Sequence, residues 1–357
     1  MTTGAITAEH APATSMAATG HGRFVAGFLG SFFLALAAVL AFNVVVDPFA
    51  LAGTGIVPTA VEPDRSIKLD LLQRLKHGPQ ILILGDSRGR QAQPSQLERL
   101  TGHTAFNAAV TGGSAPDAYV MVRFAADRFP HQKRRYIWFT DNGLASSLVE
   151  PQLAQDPRAR RYLPDAPRFG LRDVKTYLST DTTKASWRVF RKCVLASCRS
   201  PIQYHADGSL TTQSLRHLPE DAKSLRKAVA LKLDSVRAHR ETLAEARAAI
   251  DVPGRLSYLD RMLAFMNARG EVPVIVLNPI YPSVFAAQEK KGFPAYRATL
   301  WKLRQLRRRF RFVVVDCEDS RRWGGNPHDW SNATHVNRKN MRRELRYIVA
   351  HSRGALR

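Results

Sequence analysis

Cysteine is scarce in this sequence, three among 357 residues, which excludes a disulfide scaffold and a Cys-rich metal site. Cys193 and Cys198 lie close together, so a small-loop disulfide and two unlinked thiols both stay open. Cys317 follows an apolar run and is expected in the core. Metal-ligand spacing is missing as well: none of the eleven histidines sits in a pattern such as His-Glu-x-x-His, and no metal is expected. Neither Gly-x-Gly-x-x-Gly nor Gly-x-x-x-x-Gly-Lys-Ser/Thr occurs, so no nucleotide or other cofactor is expected. Acidic residues are few: Asp+Glu 30 against Lys+Arg 53 leaves a formal charge of +23. Such a charge concentrates polyanions, whether nucleic acid, anionic lipid or acidic polysaccharide. Zinc-finger spacing, RNP-like aromatic strands and a basic leucine zipper are all absent, so nucleic acid is not the expected partner. Apart from Arg304–Arg311 and Arg338–Arg346, the positive residues are dispersed, as on solvated helix faces.

The most telling absence is of charge between Phe24 and Val46. As a helix, about 23 residues at 1.5 Å each extend roughly 34 Å, enough to cross a hydrocarbon core of about 30 Å. Val39-Leu40-Ala41 could pass for a signal cleavage site, but a secretory apolar region is shorter and this run continues through Val44, Val45 and Val46. An uncleaved single-span anchor is expected at 24–46. Arg23 precedes it and Asp47, Glu62 and Asp64 follow. The positive-inside tendency then leaves residues 1–23 as a cytoplasmic tail and puts the remainder on the periplasmic or extracellular side of the cytoplasmic membrane.

Residues 47–80, holding Pro48, Gly53, Gly55, Pro58 and Pro63, read as a linker and entry segment. Beyond it, short apolar runs alternate with helical patterns. Ile81–Leu84, Thr104–Val110, Tyr136–Phe139, Val274–Leu277 and Phe312–Val315 read as strands. Asp117–Arg128, Ala222–Ile250, Leu256–Ala268 and Tyr296–Arg309 read as helices, and Gln91–Leu100 as polar helix or loop. Between about 148 and 219 the pattern degrades into an insertion with some helix near Asp173–Leu178 and Lys184–Phe190. Apolar strands separated by helices predict an α/β three-layer sandwich around a mostly parallel five-stranded sheet, preceded by one transmembrane helix. In such sheets ligands bind beyond the carboxyl ends of the strands.

At those ends stand Gly85-Asp86-Ser87-Arg88, then Gly112-Gly113, then Asn142, and late in the chain Asp329 through His335. A serine needs a base to become a nucleophile, and histidine serves near neutral pH. The developing oxyanion needs donors in place: the N–H groups of Ser87 and Gly112 and the amide of Asn142 are candidates. The plain alternatives are that Ser87 caps a helix, that Gly112 permits a turn and that Asn142 belongs to one. Asp86 is expected to brace its turn, and Arg88 is placed to bind an anionic substrate group. His328 is a rival base.

These residues resemble the blocks of the SGNH/GDSL hydrolase superfamily. Ile81 to Ser87 looks like its nucleophile block, Asn107-Ala-Ala-Val-Thr-Gly112 like the second, and Thr140-Asp141-Asn142-Gly143 like the third, of which only the asparagine is kept. His335 looks like the terminal histidine, but Asn332 occupies the aspartate position three residues earlier. Either Asn332 or Asp329 would then orient the imidazole, or the site is a weak dyad. The resemblance runs over roughly 81–350, outside the insertion, and implies the SGNH variant of a flavodoxin-like sheet. The anchor followed by Gly-Asp-Ser-Arg is similar to membrane-bound envelope members, including alginate O-acetylation proteins. It implies a serine esterase or O-acyltransferase acting on acyl esters of an envelope glycan, with a multispan partner as a candidate acyl donor. A non-catalytic glycan-binding or assembly factor with a basic surface is the competing expectation.

Overall fold

A computed structural model describes residues 16–49, 52, 54, 56–57, 64–140, 144, 149–164, 171–195, 203–211, 221–250 and 257–357. The strands are β1 (Ile81–Gly85), β2 (Ala105–Asn107), β3 (Arg135–Thr140), β4 (Val274–Leu277) and β5 (Val313–Asp316). The helices are α1 (Met16–Val46), α2 (Asp64–Arg74), α3 (Pro94–Thr101), α4 (Ala115–Arg128), α5 (Pro151–Gln155), α6 (Pro157–Arg160), α7 (Leu171–Tyr177) and α8 (Thr180–Cys193). They continue with α9 (Ala222–Ala238), α10 (Leu243–Ile250), α11 (Tyr258–Ala268), α12 (Pro282–Lys290), α13 (Pro294–Leu306) and α14 (Arg338–His351).

All five strands pair parallel in the order β2-β1-β3-β4-β5. A parallel strand needs cover on both faces, and successive side chains of each strand supply two separate cores. Leu82, Leu84, Tyr136, Trp138, Ile275 and Leu277 pack with Leu69 and Leu72 of α2, Met121 of α4, Met262 of α11 and Leu303 of α13. Ile81, Ile83, Ile137, Phe139, Val274 and Val276 face the other way, onto Leu97 of α3 and Met341, Leu345 and Ile348 of α14. The result is the expected three layers, with α3 and α14 opposite α2, α4, α11 and α13.

The chain leaves β1 for β2 through α3 on one face and returns to β3 through α4 on the other. The winding therefore reverses between β1 and β3, opening a crevice at their carboxyl ends, where open sheets of this type hold ligands. Ser87 lies at that point.

The expected linker and entry segment 47–80 contains α2, where Leu69 and Leu72 are fully buried and Arg65 pairs with Asp117 at the start of α4, 2.6 Å. Two local readings are corrected by packing. The expected strand Thr104–Val110 is cut to three residues. Asn107 accepts from Ala109 N through Oδ1 (3.0 Å) and donates through Nδ2 to Ala92 O (2.7 Å) and Gly89 O (3.0 Å), turning the chain. The expected helix Ala222–Ile250 breaks between Ala238 and Leu243.

Part of the insertion completes the sheet edge. Asn107 N donates to Asp207 O at 2.9 Å, within a turn closed by the Tyr204–Leu210 bridge. Fully buried Lys68 donates to Asn107 O (2.7 Å) and to Gly208 O, and its ammonium lies 4.2 Å from the centre of the Tyr204 ring. A covered edge does not invite further strands.

Helix α1 carries the apolar stretch Gly22–Val46, of mean hydropathy 2.4 and largely uncovered by the rest of the chain. It is long and apolar enough to cross a membrane. Cys317 is buried and free. Cys193 is disulfide-bonded; Cys198, its expected neighbour, lies outside the described residues.

Candidate active site

The backbone leaves β1 through Gly85, whose φ of +132° and close approach to Phe139 O admit only glycine. The turn that follows is held by its own charges. Asp86 Oδ1 accepts from Arg88 N at 2.9 Å, and Asp86 Oδ2 accepts from Arg88 Nε at 2.9 Å. Asp86 thus braces the turn, as its position suggested. Asn278 Nδ2, at the end of β4, lies 3.3 Å from the same carboxylate. Arg90 reaches Asp64 at 3.3 Å, and Asp64 also accepts from Thr111 N (2.9 Å) and Tyr204 Oη (2.5 Å). Burial opposes the charge on Asp64, but Arg90 and these donors hold its carboxyl below the usual range.

Ser87 is only half buried, and its Oγ lies 2.7 Å from Nε2 of His335. The two residues, 248 positions apart, meet on one rim of the sheet. His335 is presented by a tight loop. Trp330 and Val336 form an antiparallel bridge, Ser331 N donates to His335 O at 2.8 Å, and Trp330 is buried edge-on against Tyr281.

Inside that loop, Asn332 Oδ1 accepts from Thr334 N (2.9 Å) and His335 N (3.0 Å). Two backbone donors identify this atom as the oxygen of the carboxamide, since the nitrogen cannot accept. The same oxygen stands 3.0 Å from His335 Nδ1, with Thr334 Oγ1 at 3.2 Å. A proton on Nδ1 satisfies Asn332, so the Nε2 lone pair faces Ser87, whose hydroxyl donates to it.

Asp329 is not part of this contact. Its carboxylate pairs with Arg343 of α14 at 2.7 Å and with Asn337 Nδ2 at 3.4 Å. Burial works against its charge, yet these donors hold its pKa below the ordinary value. It fastens the loop to α14 while Asn332 faces the imidazole. No carboxylate therefore touches His335 among the described residues. Burial first, and then the positive Arg88 and Arg90, pull its pKa from 6.5 down to about 4. The imidazole is neutral at physiological pH and able to accept a proton, but the imidazolium gains no ion pair here.

Gly112 sits at φ +60°, in a turn packed on the end of β1, where Val110 N donates to Gly85 O at 3.0 Å. A Cβ on Gly113 would come within 2.2 Å of that carbonyl oxygen, so Gly113 allows the close approach and Gly112 the turn. Neither the Ser87 N–H nor the Gly112 N–H has an acceptor among the described residues. Asn142 lies outside the described residues. His328 stays exposed, with its backbone N–H on Asn326 Oδ1.

A cleft of about 200 Å³ opens over the pair, lined by Ser87, Arg88, Lys232, Asn278, Glu318 and His335 among others. Asn278 was missed as a site residue. Its signal is its place directly after an apolar strand, as Asp86 stands directly after β1. Lys232 and Gln288 also line an adjoining groove of about 260 Å³ between α9 and the α12–α13 segment. No group of His, Cys, Asp and Glu among the described residues is disposed to hold a metal ion. No protein-family model, curated protein or solved structure matches the chain.

Proposed function

We propose that the protein is a membrane-anchored serine esterase or O-acyltransferase of SGNH type, acting on acyl esters of cell-envelope glycans. In this reading α1 anchors it in the cytoplasmic membrane, with the α/β domain on the periplasmic or extracellular side. The observation that carries the proposal is the 2.7 Å contact of Ser87 Oγ with His335 Nε2, with Asn332 Oδ1 behind Nδ1. A hydroxyl, a neutral imidazole and an acceptor that sets the imidazole tautomer are the parts acyl transfer needs, and a carboxamide can fill the third role.

Ser87 Oγ attacks the ester carbonyl carbon and its proton passes to His335 Nε2. The tetrahedral oxyanion is met by the Ser87 and Gly112 N–H groups, and Arg88 adds positive charge at the cleft. Collapse breaks the bond to the leaving alkoxide, which takes the proton from His335 and departs as an alcohol. Water, or a glycan hydroxyl, then attacks the acyl-serine with His335 again as base. A multispan partner is the proposed source of acyl groups for the transfer reaction.

Full-length protein in detergent should hydrolyse an activated acetyl ester, with turnover and labelling by a serine-directed fluorophosphonate both lost in Ser87→Ala. The lost step is expected to be worth about 10³-fold or more. Undiminished turnover in that variant removes Ser87 from the mechanism. A second reading has one observation in its favour, that no carboxylate among the described residues touches His335: a non-catalytic factor holding an anionic glycan. That reading calls for salt-sensitive glycan binding that survives Ser87→Ala, with no acyl-enzyme formed by the parent protein.

A further inference from the structure

The last turns of α1 are not bare. Asn43 Nδ2 donates to Tyr177 O at 2.6 Å and to Thr183 Oγ1 at 2.9 Å. The rings of Phe42 and Phe190 meet edge-on at 5.8 Å, and Val46 is buried with Val57 and Val189. Tyr177 Oη donates to Asp47, the residue after the apolar run. These contacts fix α8 beside the end of α1. The 25 residues of Gly22–Val46 extend about 37 Å as a helix, against a hydrocarbon core of about 30 Å. If α1 crosses a bilayer, its final turns, and α8 with them, stand at the headgroup level.

Helix α8 is two-sided. Thr182, Ala185, Ser186 and Val189 point inward. Lys184, Trp187, Arg188, Arg191 and Lys192 are exposed, with Val194 and Leu195 exposed directly after the helix. Trp187 is 55% exposed, stacked on Phe190 at 5.9 Å. Among the described residues none of the four cations has a carboxylate partner, and Asp181 is the only acid in the helix. An indole and two aliphatic side chains among cations suit an interface where acyl chains meet phosphates: indole rings settle at headgroup depth, and lysine and arginine are attracted to anionic lipid.

We propose that α8 is an interfacial helix, lying on the leaflet that faces the α/β domain. Trp187, Val194 and Leu195 enter the boundary between headgroups and acyl chains, and Lys184, Arg188, Arg191 and Lys192 meet the phosphates of anionic lipids. The proposal rests on α1 spanning the membrane and is independent of the chemistry assigned to Ser87. Its consequence is mechanical: a second attachment beside the span limits rotation of the domain about a single helix.

The test uses the full chain in vesicles of phosphatidylcholine and phosphatidylglycerol, with and without lipid brominated in the acyl chains. The sequence has five tryptophans, so the contribution of Trp187 is read as the difference between the parent and Trp187→Phe. Bromolipid should reduce that difference about twofold. Arg188→Glu combined with Arg191→Glu should bring the quenching down to the level seen in pure phosphatidylcholine. Equal quenching of parent and Trp187→Phe, with the chain still resistant to carbonate extraction, overturns the interfacial helix while the span stands. The exposed face would then belong to a protein partner. Extraction of the parent by carbonate overturns both the span and this proposal.

Discussion

The two loops that meet in the cleft are built on different physics. The loop carrying Ser87 is held by ions: Asp86 with Arg88, and Asp64 with Arg90. The loop carrying His335 is held around the imidazole by neutral groups: backbone N–H donors, the Asn332 carboxamide and the Thr334 hydroxyl, with its one carboxylate, Asp329, turned away to Arg343. Two arginine–aspartate pairs thus stand on the Ser87 side. The base side is arranged to keep histidine uncharged. A site so divided gives little help to an imidazolium.

The largest expected effect comes from altering the neutral side. Asn332→Ala removes the acceptor behind Nδ1, releases the tautomer and should lower kcat by about 10²- to 10⁴-fold. Asn332→Asp should instead place a carboxylate on Nδ1, raise the pKa of His335 and keep or increase turnover. Steady-state kinetics of both variants on an activated acetyl ester checks this, and an inactive Asn332→Asp contradicts the orienting role.

A smaller effect is expected from the charged side. Activity that needs neutral His335 should persist down to about pH 4, far below the ordinary histidine range. Arg88→Gln removes a neighbouring positive charge, so the acid limb of kcat/KM should move upward, by about one pH unit. The same depression acts on stability. The unfolded chain protonates its histidine near 6.5 and the native one near 4, so stability is full above about 6.5 and falls as the pH drops towards 4.

An effect on stability rather than turnover belongs to Glu344 on α14, fully buried with both oxygens unpartnered among the described residues. Burial pushes it up to about 8, against a lowering by Arg88. Its folded pKa is raised, so its contribution is present below the unfolded value of 4.5 and lost as the pH rises through 8. Glu344→Gln should therefore match the parent near pH 4, where the carboxyl is neutral in both states, and exceed it in Tm by a growing margin up to pH 9; equal Tm at pH 4 and pH 9 would refute a neutral carboxyl.

Much of this was legible in the residues. Ile81–Leu84 and Val274–Leu277 are wholly apolar and short, the mark of strands covered on both faces, and both are strands with nearly the expected bounds. Strand β2 was overextended because the side chain of Asn107 competes with the ladder, and periodicity does not register such competition. The sequence of α14 shows a dense arginine stretch, because its buried face is a spaced set of residues, Met341, Leu345 and Ile348, that becomes apolar only when wound. The choice between Asn332 and Asp329 was open at the level of spacing. It turned on Arg343, one helix turn from Asn340, reaching back to take the aspartate.

Local composition alone determined the charge-free anchor-length helix, the buried parallel strands and the order of the polar residues at their ends, because each depends on neighbours along the chain. Tertiary structure decided which of those polar residues meet. Winding reversal at β1 brings residues 87 and 335 onto one lip, the bridge from 330 to 336 aims the imidazole, and distant arginines set its proton affinity. Those are long-range events, and a sequence read locally does not contain their distances.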